Sequence, residues 1–212
     1  NDRLFVLLPR SLPYSARFLA TNSALTYMDR QKLESRLAFL EEAERLKSVL
    51  RSGHTSTGRP ESTAEHSWRL CLMAMLFQDE LGDLDMLKVL KICLVHDLGE
   101  ALHGDISAIE KDQHPDKSEQ ERADMAYLTC HLDATAQAGI LGLWEEYENA
   151  SSAEARMVKA LDKLETILQH TQGRNPQDFD YGFNLTYGEK YTAIRPFLAR
   201  LRQILDEKTR AR

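Results

Sequence analysis

The pair His96-Asp97 closes an apolar run from Leu87 to Val95, and both side chains are of the kind that hold divalent metals. Neighbouring residues on a helix point about 100° apart. They can share one ligand only where the helix ends and the backbone turns both side chains inward. Imidazole nitrogen beside carboxylate oxygen suits Zn, Mn, Fe, Co or Ni better than Ca. Two other stretches carry residues of the same kind. Upstream, Ser62 with Glu65 three positions later reads as a capping box. His66 then falls in the first turns of a helix continuing through Leu70, Met73, Ala74 and Phe77. Downstream, Ser151 and Glu154 suggest a second capping box, opening a helix with Met157, Val158, Leu161, Leu164 and Leu168 as its apolar stripe. Asp162 adjoins that stripe, where a carboxylate is costly to bury unless it is paired or bound to a cation. Its alternative is an exposed position paired with Lys159 or Lys163. Read jointly, His66, His96, Asp97 and Asp162 are four metal ligands delivered by three helices.

Two imidazoles and two carboxylates leave coordination positions on a bound ion for water and a substrate oxygen. Glu100 lies four residues after His96, about one helical turn on, placed to move a proton to or from water or a leaving group. Arg51 offers a planar fork able to bind two oxygens of a carboxylate or phosphate. Arg59 is a second candidate in the same loop, or a residue that pins the loop beside Pro60. Gly104-Asp105 reads as a tight turn presenting a short carboxylate, or as a helix N-cap.

The order His66…His96-Asp97…Asp162 resembles the ligand set of the HD superfamily of metal-dependent phosphohydrolases, and within it the 5'-deoxynucleotidase branch. Several stretches carry the likeness: Arg59-Pro60-Glu61-Ser62 leading to Glu65-His66-Ser67, Leu94-Val95-His96-Asp97-Leu98-Gly99-Glu100, and Gly104-Asp105-Ile106. Leu143-Trp144-Glu145-Glu146-Tyr147-Glu148 and Lys159-Ala160-Leu161-Asp162-Lys163 extend it, over roughly residues 33 to 206. The resemblance implies an all-α fold, a compact helical bundle with the metal site between helices. It implies one divalent ion (Co, Mn, Zn, Fe, Ni or Mg), a homodimer, and hydrolysis of deoxyribonucleoside 5'-monophosphates. By position, Glu100 matches the branch's general acid/base, Asp105 the residue on the sugar 3'-hydroxyl, and Arg51 the phosphate-binding arginine. The branch usually has a tryptophan after that arginine, packed where a ribose 2'-hydroxyl would lie. Here the chain reads Arg51-Ser52-Gly53-His54, so Ser52 or His54 takes that place.

Relatives within the superfamily fit less well. Hydrolases of the guanosine tetraphosphate alarmone carry Glu-Asp where this chain has Glu100-Ala101, and two-metal members have histidine in place of Glu100 with further histidines that His103, His114 and His131 do not match. Two readings stand beside the leading one: the same machinery acting on another phosphomonoester, and a non-catalytic helical module that merely retains metal.

The rest of the chain sets bounds. A net charge of -6 and a pI near 5.7 offer no basic face to a nucleic-acid polymer, while leaving room for a small anionic substrate. No run of 18 apolar residues is present, so no membrane span is expected. Cys71, Cys93 and Cys130 are few and widely spaced, and read as reduced thiols of a cytoplasmic protein. Residues 1–29 are expected to form an N-terminal extension, with one helix over Tyr14 to Met28; residues 30–206 form the domain and 207–212 a tail. Apolar periodicity predicts helices from Leu33 to Leu50 and over 62–80, 83–98, 117–138, 140–149, 152–171 and 188–206, with no strand. Phe179, Tyr181, Phe183 and Tyr187 are expected to serve mainly in ordinary core packing, with a pocket roof or a dimer seam as alternatives.

Overall fold

The computed structural model describes residues 30–106 and 116–212; the expected helix at Tyr14 to Met28 and most of the Gly104–Pro115 stretch lie outside them. The described chain is helical: α1 (30–43), α2 (Thr63–Leu76), α3 (Met86–Val95), α4 (Lys117–Leu128), α5 (Ala134–Asn149), α6 (Ala153–Gln172), α7 (Glu189–Thr192) and α8 (Pro196–Arg210). None of these is long and apolar enough to cross a membrane.

The expected absence of strands is corrected. The helix predicted to reach Leu50 stops at residue 43, passes through a 3-10 turn at Glu44–Lys47, and gives way to strand β1 (Leu50–His54). β1 pairs antiparallel with β2 (Pro60–Ser62), Leu50 opposite Ser62 and His54 opposite Pro60. The connection turns at Gly58, whose φ of 92° is open to glycine at little cost. Alternation failed as a signal because a five-residue strand through Arg51-Ser52-Gly53 has no apolar face to alternate.

Local chemistry sets the remaining boundaries. Ser62 caps α2 with the full reciprocal box, its side chain taking Glu65 N–H while the Glu65 carboxylate takes Ser62 N–H. Asp133 caps α5, and this breaks the helix predicted over 117–138 into α4 and α5. α5 ends on Ala150 in the left-handed region, φ 48°, and Ser151 N–H goes back to the Glu146 carbonyl. The cap of α6 is therefore Ser152, one residue after the expected Ser151. Pro196, lacking an N–H, splits the segment predicted over 188–206 and opens α8 at the position where that lack costs nothing.

α6 runs through the middle of the bundle, with Leu161, Leu164 and Ile167 fully buried against Leu70 of α2, Val89 and Ile92 of α3, and Leu198 of α8. A second cluster, Leu46, Leu98, Met125, Leu128 and Trp144, ties α4 and α5 to the turns that flank the hairpin. Burying a leucine or isoleucine is worth about 1.5–3 kcal/mol. These two cores therefore hold α2, α3 and α6 at fixed separations, and that is what places the polar groups between them.

Candidate active site

His66 is the fourth residue of α2, His96 the C-cap of α3, and Asp162 stands midway along α6. α3 ends one residue before His96, and Asp97, at φ -102° and ψ 10°, opens a 3-10 turn over Leu98–Ala101. That change of backbone lets adjacent side chains converge: His96 Nε2 lies 3.0 Å from Asp97 Oδ2. His66 Nε2 lies 3.2 Å from Asp162 Oδ1 and 3.7 Å from Asp97 Oδ2. Donor atoms of His66, His96 and Asp162 all fall within 4.8 Å of one another.

Whether this group suits a cation follows from its hydrogen bonds. His96 donates from Nδ1 to the Cys93 carbonyl at 2.9 Å, and His66 donates from Nδ1 to Glu165. In the neutral imidazoles both Nε2 atoms are then lone-pair acceptors, and both are buried and without a hydrogen-bond partner. They face carboxylate oxygens, which are acceptors too. Buried acceptors turned on one another repel unless a proton or a metal ion lies between them. Burial and Arg51 push the His66 imidazole towards neutrality, yet Glu165 and Asp162 outweigh them and push it up to about 10. The set of two imidazole nitrogens and two carboxylates fits a first-row divalent ion.

Each donor is held from behind. Asp162 is buried, and its Oδ2 accepts from Tyr147 Oη at 2.6 Å and from Lys163 Nζ at 2.8 Å. Glu165, fully buried one turn along α6, accepts from His66 and from Arg69 Nε. A carboxylate behind a histidine fixes its tautomer and raises its basicity as a ligand. Sequence reasoning missed Glu165, although a carboxylate three residues after Asp162 on the same buried face was a legible signal. It missed Glu61 as well, which is buried 3.9 Å from Arg51 Nε and pushed up to about 7 by burial and by Glu165.

A cavity of about 390 Å³ opens onto this group, within the range of small-molecule sites. Arg51 lies at its wall, its fork reaching Asp97 Oδ2 and Thr166 Oγ1, each at 3.2 Å. Glu100 and Asp105 also line it. Burial, then Asp97 and Asp105, push the Glu100 carboxyl up to about 10, so it carries a proton at neutral pH. Lys117, unforeseen from the sequence, stands 3.2 Å from Glu100, 3.2 Å from Glu121 and 4.0 Å from Asp105. One ammonium among three carboxylates cannot keep all of them ionised, and Glu100, the most buried, is the one that holds the proton.

Besides His66, which lies fully buried behind the cavity lining, two of the expected residues do not reach the cavity. Arg59 is exposed and paired with Glu65 at 2.7 Å, a pin on the hairpin turn. His54 is turned back on its own strand, with Nδ1 3.2 Å from the Ser52 carbonyl and its backbone tied to Asn175 and Gln169. Ser52 lines the cavity, so of the two residues expected at the tryptophan place it alone faces a substrate. His103 is exposed and paired with Asp124. Phe179, Phe183 and Tyr187 line the cavity as well, which corrects the expectation of ordinary core packing for these three.

Comparison with known proteins places the chain in a family. The HD domain family matches residues 43–202. The "5'-deoxynucleotidase HDDC2" of Bos taurus is 35% identical over 156 residues, which cover 73% of this chain and 75% of that protein. Its counterpart in Danio rerio is 37% identical over 139 residues, 65% of this chain and 68% of that protein. A crystal structure described as a predicted metal-dependent phosphohydrolase from Magnetospirillum magnetotacticum superposes with a TM-score of 0.73 at 29% identity, over 85% of this chain and 96% of that one. With the helices, the hairpin and the His-Asp cluster in place, the chain belongs to the HD domain family.

Proposed function

We propose that the protein is a metal-dependent phosphohydrolase that removes phosphate from nucleoside 5'-monophosphates, with the deoxyribonucleotides as its substrates. One observation carries the reading: two buried, unpartnered imidazole Nε2 atoms converge with Asp162 and Asp97, and His96, Asp97 and Asp162 of that group line a cavity walled by Arg51. His66, His96, Asp97 and Asp162 would hold a single divalent ion, which when bound would supply Lewis acidity to water and to the phosphoryl oxygens. Arg51 binds the remaining phosphate oxygens through its fork. Glu100, at the cavity wall beside the His-Asp group, gives a proton to the departing 5'-oxygen, which would otherwise leave as an alkoxide. Asp105 accepts a hydrogen bond from the sugar 3'-hydroxyl. Relatives named 5'-deoxynucleotidase support the substrate class.

Ser52 favours a second reading on one point. A serine leaves room beside Arg51 that a tryptophan would fill, so ribonucleotides are admitted as poorer substrates. Phosphate release from dAMP and AMP by the metal-loaded protein separates the two, and release from neither would end the nucleotidase reading. We further infer a cytoplasmic homodimer. The free thiols of Cys71, Cys93 and Cys130 fit a reducing compartment. Trp68 and Met75 of α2 and Leu87 and Leu94 of α3 are each more than half exposed and suit a second copy. Sedimentation of a Trp68→Glu variant as a monomer would support that face, and an unchanged dimer would remove it.

A further inference from the structure

The aromatic residues that follow α6 line the cavity, yet neither the metal centre nor the phosphate grip uses them. His170 lies eight residues after Asp162 on α6, about 12 Å further along the axis. Phe179 packs edge-on against His170, ring centroids 4.8 Å apart, and Phe183 lies against Tyr187 at 4.7 Å. Tyr187 in turn carries Lys163, the partner of Asp162, over its ring. The aromatic surface thus runs from beside the metal group outward, across the span that separates a phosphate from the base it carries.

This surface is built rather than incidental. The buried Arg202 of α8 spends its guanidinium on three carbonyls of the segment, those of Asn184, Leu185 and Tyr187, at 2.6–2.8 Å. The buried Asn184 holds His170 through Nδ1 at 2.7 Å. Phe179 and Phe183 stay only half-buried despite this scaffold, with their rings at the cavity wall. A rigid, partly open aromatic face inside a polar cavity is suited to stacking a flat ring.

We propose that Phe179 and Phe183, braced by His170 and Tyr187, form the wall on which the nucleobase stacks, so that the enzyme requires a base and not merely a 5'-phosphorylated sugar. The inference rests on the nucleotidase reading above. The test compares dAMP with 2-deoxyribose 5-phosphate, the same sugar phosphate without the base, on the unmodified metal-loaded protein. Base stacking predicts a kcat/KM roughly 10- to 100-fold higher for dAMP, the usual worth of one stacked base. Phe179→Ala and Phe183→Ala should each narrow that ratio, and Phe179→Tyr should preserve it. Equal turnover of the two compounds by the unmodified protein overturns the wall while leaving the nucleotidase reading intact. A ratio that stays the same in both alanine variants overturns it too, because the rings would then serve only the fold. Release of phosphate from neither compound overturns the nucleotidase reading, and the wall with it.

Discussion

Replacing Glu165 by glutamine tests the metal site from behind, without touching a ligand. The Glu165 carboxylate accepts from His66 Nδ1 and from Arg69 Nε, and it is fully buried. Glutamine keeps the shape but offers one oxygen in place of two, so one of the two donors faces an amide N–H. His66 loses either its acceptor or the negative charge that makes Nε2 a strong donor to metal. Loss of such a supporting carboxylate costs about 10- to 100-fold in metal affinity, or ~1.4–2.7 kcal/mol. The same carboxylate also holds a proton on His66, whose pKa is pushed up to about 10, so proton and metal compete for Nε2 at neutral pH and less as pH rises. The full loss should therefore be seen at the alkaline end. The assay is a Co(II) titration of chelator-stripped protein against a competing chelator, at about pH 7 and about pH 9, with circular dichroism to verify the fold. An affinity within a factor of about two of the unmodified protein at both pH values would refute the role given to Glu165.

Other outcomes follow from the same geometry. Glu100→Gln should retain metal affinity while turnover falls roughly 10²- to 10⁴-fold, as expected for loss of a proton donor; parallel loss of metal would make Glu100 a ligand instead. The same variant has a stability signature. The folded-state pKa of Glu100 is raised from 4.5 to about 10, so folding favours the protonated acid. Metal-stripped protein should lose stability as pH rises through that window, and Glu100→Gln should lose less, as read by thermal melts across pH. His66 has the matching sign: its pKa is raised from 6.5 to about 10, so its contribution is full below 6.5 and lost as pH rises through about 10. Arg51→Lys should lower kcat/KM roughly 10- to 100-fold, because one charged hydrogen bond of the fork is worth ~1.5–3 kcal/mol; an unchanged value would remove Arg51 from the phosphate. Ser52→Trp should raise the dAMP-to-AMP ratio of kcat/KM, and an unmoved ratio would show that Ser52 is not beside the 2'-position.

The polar groups that meet between helices were the most legible part of this chain. His66 was readable because the Ser62–Glu65 box is complete within four residues and fixes where α2 starts. Asp162 was readable because a carboxylate beside the stripe of Leu161 and Leu164 has to be buried for a reason. The hairpin was not readable: β1 and β2 are held by backbone pairing across a turn, and Arg51-Ser52-Gly53 gives no periodic apolar signal. The break at Asp133 was hidden by apolar residues that continue on both sides of it, and only its capping bond to Ala136 N–H reveals it. Lys117 and Glu100 are 17 residues apart on different elements, and only packing brings them to 3.2 Å. The same holds for His54 and Arg59, whose residue types suited a phosphate but whose side chains meet the Ser52 carbonyl and Glu65 instead.

Hydrolysis of a nucleoside monophosphate in this cavity, with a metal held by His66, His96, Asp97 and Asp162, is the activity proposed above. The most direct measurement is phosphate release from dAMP and AMP by chelator-stripped protein, with Co, Mn, Zn or Mg restored singly. The account predicts no release without metal, release from dAMP on restoring a first-row ion, and a lower rate with AMP. Full release by the stripped protein, or silence with every ion, would contradict it.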